Sequence, residues 1–181
     1  MQPRRPNALR AVLVGVVALC THHALADDGG KEPTAILEIG AAAGRNLTDR
    51  TSNGGPTVAV EFIPIKRWLE IEIGVTPSFS RRSTEWGTDV LFKKPWTLSK
   101  TAEVMAGIGP AWVHTRESGA TRNTPAGEAV VDLMFWPFRK HQRFGWYFEP
   151  GYEYSFGRGH ERSIGVSGGL LIAFPGHPGR P

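Results

Sequence analysis

The chain has 181 residues, with 21 Lys plus Arg against 17 Asp plus Glu, a single Cys, 22 Gly and 14 Pro. That length suits one domain with a sizeable core, and one Cys excludes a disulfide framework or a multi-cysteine metal site. Mean hydropathy is −0.24, and no apolar run approaches the roughly 18 residues of a membrane-spanning helix, which excludes a helical membrane protein.

Residues 1–26 read as a secretory signal peptide. Arg4, Arg5 and Arg10 form a basic start, Ala11 to Cys20 an apolar run too short to span a bilayer, and Ala24-Leu25-Ala26 a cleavage site with small residues at both recognition positions. Cleavage after Ala26 removes three Arg and no acid, leaving 18 basic and 17 acidic residues and no Cys. The sequence pI near 9.5 therefore belongs mostly to the leader and is no sign of a nucleic-acid partner.

Beyond the leader the pattern has period two, the signature of half-buried strands rather than helices. Leu37, Ile39, Ala41 and Ala43 alternate with Glu38, Gly40, Ala42 and Gly44; Val58, Val60 and Phe62 alternate with Thr57, Ala59 and Glu61. From Leu69 to Phe79 every odd position is apolar, while the even ones are Glu70, Glu72, Gly74, Thr76 and Ser78. Val90 and Phe92 oppose Asp89 and Leu91; Ala102, Val104, Ala106 and Ile108 oppose Glu103, Met105, Gly107 and Gly109. Ala129, Val131, Leu133 and Phe135 oppose Glu128, Val130, Asp132 and Met134. Trp146, Phe148, Tyr152, Tyr154 and Phe156 oppose Tyr147, Glu149, Gly151, Glu153 and Ser155. Ile164, Val166, Leu170, Ile172 and Phe174 complete the set against Gly165, Ser167, Gly169, Leu171 and Ala173. These segments predict eight strands.

Two further regularities support a closed up-and-down arrangement. Trp86 and Trp96 lie ten residues apart on one face, as do Trp146 and Phe156. Ten strand residues rise about 33 Å, or about 25 Å along the normal when tilted, the height of an outer-membrane apolar band. Trp68, Trp86, Trp96, Trp112, Trp136, Trp146 and Phe156 are accordingly expected in two aromatic belts. The connections also alternate. Those after strands two, four and six (63–68, 93–96 and 136–143) are basic, aromatic and proline-bearing; those after strands one, three, five and seven (45–56, 80–85, 115–126 and 157–162) are rich in Thr, Ser, Asn, Gly and Arg.

The signal peptide, the eight alternating strands, the belts and a last strand ending Gly169-Leu170-Leu171-Ile172-Ala173-Phe174 together resemble the small eight-stranded outer-membrane β-barrel proteins of Gram-negative bacteria. The resemblance is architectural, spans residues 27–174 and rests on no family-specific motif. It implies an all-β, eight-stranded antiparallel transmembrane barrel in the cell outer membrane, monomeric, with lipid and lipopolysaccharide around it. It also implies that Phe174 is the terminal aromatic read by the barrel-assembly machinery, and that residues 175–181 form a short Pro/Gly-rich periplasmic tail.

The polar strand faces predict what lies inside such a barrel. Glu38, Glu61, Glu70, Glu72, Asp89, Glu103, Glu128, Asp132, Glu149 and Glu153 would line the lumen, with no Lys or Arg expected on the same faces. Buried carboxylates need partners, and Glu61, Glu70, Glu103 and Glu149 would find them among the basic connections, forming a carboxylate layer at the periplasmic mouth. Such a lumen suits an envelope-structural or surface-interaction role, or a narrow cation-preferring pore. Arg45, Arg50, Arg116 and Arg122 in the polar loops would meet lipopolysaccharide phosphates.

Period two does not say which face is inside. Turned inside out, the chain would be a soluble periplasmic lipocalin-like barrel holding an apolar ligand. A third reading is an outer-membrane lipid-modifying enzyme using His114 or His160 with Ser118 and Glu161, although no such enzyme motif is present. No metal or cofactor motif is found: His141 sits among basic residues, and the glycine-rich segments 106–110 and 166–169 lie in strands with no following helix.

Overall fold

The computed structural model describes residues 33–80, 83–117, 120–137 and 143–175. The expected signal peptide lies outside the described residues, as do residues 176–181 of the expected tail, Ser118, His141 and His177.

Eight strands run in chain order: β1 (Pro33–Asn46), β2 (Ser52–Ile65), β3 (Leu69–Phe79), β4 (Ser83–Thr97), β5 (Ala102–Glu117), β6 (Ala120–Phe135), β7 (Phe144–Ser155) and β8 (Arg162–Pro175). Each pairs antiparallel with its sequence neighbours, and β8 returns to pair with β1, so the sheet closes and has no free edge. Residues 33 and 175 mark one end of the barrel, called here the terminal end; the turn at 47–51 marks the far end.

Most strands are longer than their sequence pattern suggested. The segments 45–56 and 115–126, expected as the longest loops, are mostly wall: β2 begins at Ser52, and β5 and β6 pair out to Glu117 and Ala120. Near the far end the outward face no longer needs apolar residues, so the alternation fades while the backbone ladder continues. Pro175, expected to begin the tail, instead ends β8 opposite Pro33. The turns are tight and locally capped. Asn46 Oδ1 accepts from the Thr48 amide at 2.8 Å, and Arg50 takes a left-handed φ of 62°. The turn from Ile65 to Trp68 closes through a 3.0 Å bond from the Trp68 amide to the Ile65 carbonyl, with Arg67 left-handed at φ 60°.

The acids point inward and much of the apolar face points outward. Ile108, Phe92, Leu170, Phe148 and Phe135 are each about half exposed or more on the outer wall, whereas Glu38, Glu61, Glu70, Glu72 and Asp132 are buried within. This orientation runs against the lipocalin-like alternative, because these apolar side chains point away from the lumen. On the outer wall the register gathers Trp86, Trp112 and Phe156 towards the far end, and Trp68, Trp96 and Trp146 towards the terminal end. Trp136 departs from expectation. It continues the inward parity of Glu128, Asp132 and Met134, and packs inside with Ile36, Met105, Met134, Tyr147, Leu171 and Ala173 instead of joining a belt.

Candidate functional site

The lumen is built in three levels. At the terminal end a cavity of about 220 Å³ is lined by Glu70 and Glu103 together with Arg67 and Lys100 from the turns, and by Ile36, Ile63 and Trp136. Carboxylates and turn cations share this mouth, as the sequence suggested for Glu70 and Glu103. The apolar cluster around Met105, Met134 and Leu171 lies next to it.

The middle level contains the residue that sequence reasoning missed. Lys93 belongs to β4, not to a basic turn, and its side chain is fully buried. Its parity follows from Asp89 and Leu91, which places it on the lumen face. The stem crosses Gly107 of β5, where an added Cβ would come within 2.7 Å of Lys93 Cγ. The ammonium then reaches three strands. It bonds Asp132 Oδ2 of β6 at 3.1 Å and Glu149 Oε2 of β7 at 2.6 Å, and it pairs with Glu72 Oε2 of β3. Glu149, expected to find its partner among the turn cations, is therefore served by an internal lysine. Glu61, also fully buried, shares its surroundings with the Glu70 carboxyl. Among the described residues, Glu38 Oε1 and Asp132 Oδ1 are buried without a hydrogen-bond partner. Lys93, Glu61, Asp132, Met105 and Leu171 have no exposed surface, so this level forms a packed layer across the barrel.

Towards the far end lies a vestibule of about 180 Å³. Glu38, Glu72 and Glu149 lie at its floor; Asp89, Glu128, Glu153 and Glu85 rise along its wall. Among the described residues no Lys, Arg or His lines it. The space exists because the inward positions here are small: Ala42, Gly44, Gly74, Gly87, Gly151 and Gly165 share the wall. Glu128 and Glu153 face each other across the β6–β7 ladder. Asp89 accepts a hydrogen bond from the Gly74 backbone, while its buried Oδ2 has no partner among the described residues.

Above the vestibule the far rim is tied together by side chains. Asn46 donates to Glu161 Oε2 at 2.9 Å, and Arg122 lies 3.6 Å from Glu161 Oε1. The Thr51 hydroxyl, helped by the Thr51 amide, holds the Asp49 carboxyl below its ordinary value. His114 Nδ1 lies 2.5 Å from Asn123 Oδ1, and His160 Nδ1 lies 3.0 Å from the Tyr154 hydroxyl. Both histidines thus have neutral partners among the described residues, and Glu161 pairs with Asn46 and Arg122. Arg45, Arg50 and Arg116 are exposed. Phe174 sits on the outward face of β8, in register with Ala35.

No protein-family model matches the chain, and no curated protein matches it in sequence. Solved structures do match in fold. The Neisserial surface protein A aligns with a TM-score of 0.65 at 10% identity, over 78% of this chain and 97% of that one. The N-terminal β-barrel domain of Pseudomonas aeruginosa OprF aligns at 0.54 and 12%, over 77% and 98%. Ail, the attachment invasion locus protein of Yersinia pestis, aligns at 0.53 and 14%, over 78% and 99%. The chain has the fold of the small eight-stranded outer-membrane β-barrels.

Proposed function

We propose that this chain is an integral protein of the Gram-negative outer membrane that spans the bilayer as a monomer and acts at the cell surface through its far rim. The observation that supports it best is the outer wall. A closed barrel that turns carboxylates inward and leaves Ile108, Trp146, Phe156, Phe148 and Leu170 exposed has its apolar surface where lipid would cover it. An even strand number puts both termini on one side. Export then places the terminal end in the periplasm, with Phe174 available to the assembly machinery, and turns the rim at 47–51 and 157–161 outward.

Cell fractionation and gel mobility test this. Full-length protein is expected in the outer-membrane fraction, and the chain folded in detergent should run faster unboiled than boiled. A chain that folds without detergent and stays in the soluble periplasmic fraction would overturn the membrane reading.

At the rim, Arg45, Arg50 and Arg116 are the proposed contacts for lipopolysaccharide phosphates, whereas Arg122 is already engaged by Glu161. Replacing the three by Ala should weaken lipopolysaccharide binding by about tenfold or more in a co-sedimentation assay, since charge-assisted bonds contribute about 1.5–3 kcal/mol each. Unchanged binding would remove the arginines from the proposal. A steady ion pore forms no part of this reading, because the packed layer around Lys93 separates the two cavities.

A further inference from the structure

The vestibule combines features that a purely structural interior does not need. It holds seven carboxylates and, among the described residues, no lining cation; the Lys93 ammonium beneath the floor engages Glu72 and Glu149 but bonds no acid on the wall. Independently of the acids as a cluster, Glu38 is 1% exposed, lines this cavity and carries an oxygen, Oε1, that nothing among the described residues satisfies. Asp89 Oδ2, on the wall, is in the same condition. A buried carboxylate oxygen without a donor is costly, and a bound cation would relieve it.

The spacing of the acids favours one kind of cation. A calcium ion takes six to eight oxygens at about 2.3–2.6 Å, which demands ligand atoms crowded together. Among the described residues, the one such group is Glu38, Glu72 and Asp132, with oxygens within 4.8 Å of one another, and the Lys93 ammonium already bonds two of its members. Asp89, Glu128 and Glu153 are spread along the wall instead. An elongated molecule with several ammonium groups matches spread charges better than a single metal ion does. The vestibule is large enough for a short one, holding about six waters' worth of space. Between the acids, Leu91, Ala111, Val113 and Tyr147 offer apolar surface to the intervening methylenes. One level down, the protein already neutralises its own carboxylates with an alkylammonium on an apolar stem, that of Lys93.

We infer that the far-end vestibule, lined by Glu38 and Glu149 at its floor and by Asp89, Glu128 and Glu153 along its wall, is a binding site for a linear alkyl polyamine entering from the loop end. The inference rests on the acidic lumen and not on the membrane reading, so either can fail alone.

Calorimetric titration of the detergent-folded protein at constant ionic strength tests it, with spermidine, N-butylamine and magnesium chloride as the probes. Spermidine should bind saturably with one-to-one stoichiometry, and N-butylamine about tenfold more weakly or worse, because it forms a single charge-assisted contact. The Glu128→Gln/Glu153→Gln variant, checked for folding by its heat-dependent mobility, should lose about tenfold or more of the spermidine affinity by the same reasoning. Asp49→Asn, in the exposed 47–51 turn, should lose none. Equal binding of spermidine and N-butylamine, or unchanged affinity in the folded double variant, would overturn the proposal. Tighter binding of magnesium than of spermidine would overturn it in favour of a metal site. If the double variant does not fold, the comparison of the three probes on the native sequence decides.

Discussion

Replacing Lys93 by Met is expected to cost about 3–5 kcal/mol of folding stability, the usual penalty for removing one partner of a buried ion pair. The substitution keeps most of the length and apolar character of the stem over Gly107 but deletes the charge that Glu72, Asp132 and Glu149 share. Three strands on opposite sides of the lumen then converge on carboxylates with no cation, where Asp132 has no exposed surface and Glu72 and Glu149 keep only a little towards the vestibule. The cost belongs to the stranded acids more than to the lost attraction. Combining Lys93→Met with Glu72→Gln, Asp132→Asn and Glu149→Gln should therefore recover most of the stability, because replacing a buried ionic group as a whole is often neutral or favourable. Urea titration in lipid vesicles, read by tryptophan fluorescence and by heat-dependent mobility, separates the cases. If the single variant lies within about 1 kcal/mol of the native sequence, the range of an exposed ion pair, Lys93 does not hold the layer. If the quadruple variant is no better than the single one, the penalty comes from packing instead.

The same layer shows how much of the molecule was legible in the sequence. Strand number, order and parity were readable because the wall separates an apolar face from a polar one, and period two records that separation residue by residue. Lys93 was misread because Lys93-Lys94-Pro95-Trp96 has the composition of a turn, although its parity after Asp89 and Leu91 already pointed inward. Trp136 was misread in the mirror sense. A tryptophan at a strand end suggested a belt, yet its parity after Asp132 and Met134 placed it inside. In both cases periodicity, and not local composition, sets the side that the residue faces. The convergence itself had no local signal. Glu72, Lys93, Asp132 and Glu149 come from four strands and meet across the lumen only because the sheet closes. The vestibule lies between these cases: its acids and small residues were recognised strand by strand, but not as one chamber floored by a lysine.

Closure depends on a glycine pair, and Gly169→Val is expected to abolish the folded barrel. Gly40 of β1 and Gly169 of β8 are register partners on the lumen face of the seam that closes the sheet. A Cβ on Gly169 would run into the Ile39 carbonyl oxygen and lie 2.5 Å from Gly40 Cα; both obstacles are backbone and cannot rotate away. The other side of the seam is crowded too, since a Cβ on Gly40 would meet the Gly168 carbonyl and come within 2.7 Å of the Tyr147 hydroxyl. Overpacking a core ordinarily costs about 1–3 kcal/mol when side chains can shift, so Gly169→Ala should fall at or above that range and the branched Val well beyond it. A seam forced apart also exposes the edges of β1 and β8 to pairing with other chains. Gly165 supplies the internal control. It lies on the same seam, yet a Cβ there would meet the Ala43 carbonyl at an ordinary 3.5 Å. Gly165→Ala should be neutral or gain about 0.4–1 kcal/mol through the restricted unfolded chain. Folding yield into detergent, read as the fraction with heat-dependent mobility, is expected to be native-like for Gly165→Ala, reduced for Gly169→Ala and absent for Gly169→Val. Equal yields for the two alanine variants would mean that the seam can open to admit a side chain, and that the glycine pair is not what lets the barrel close.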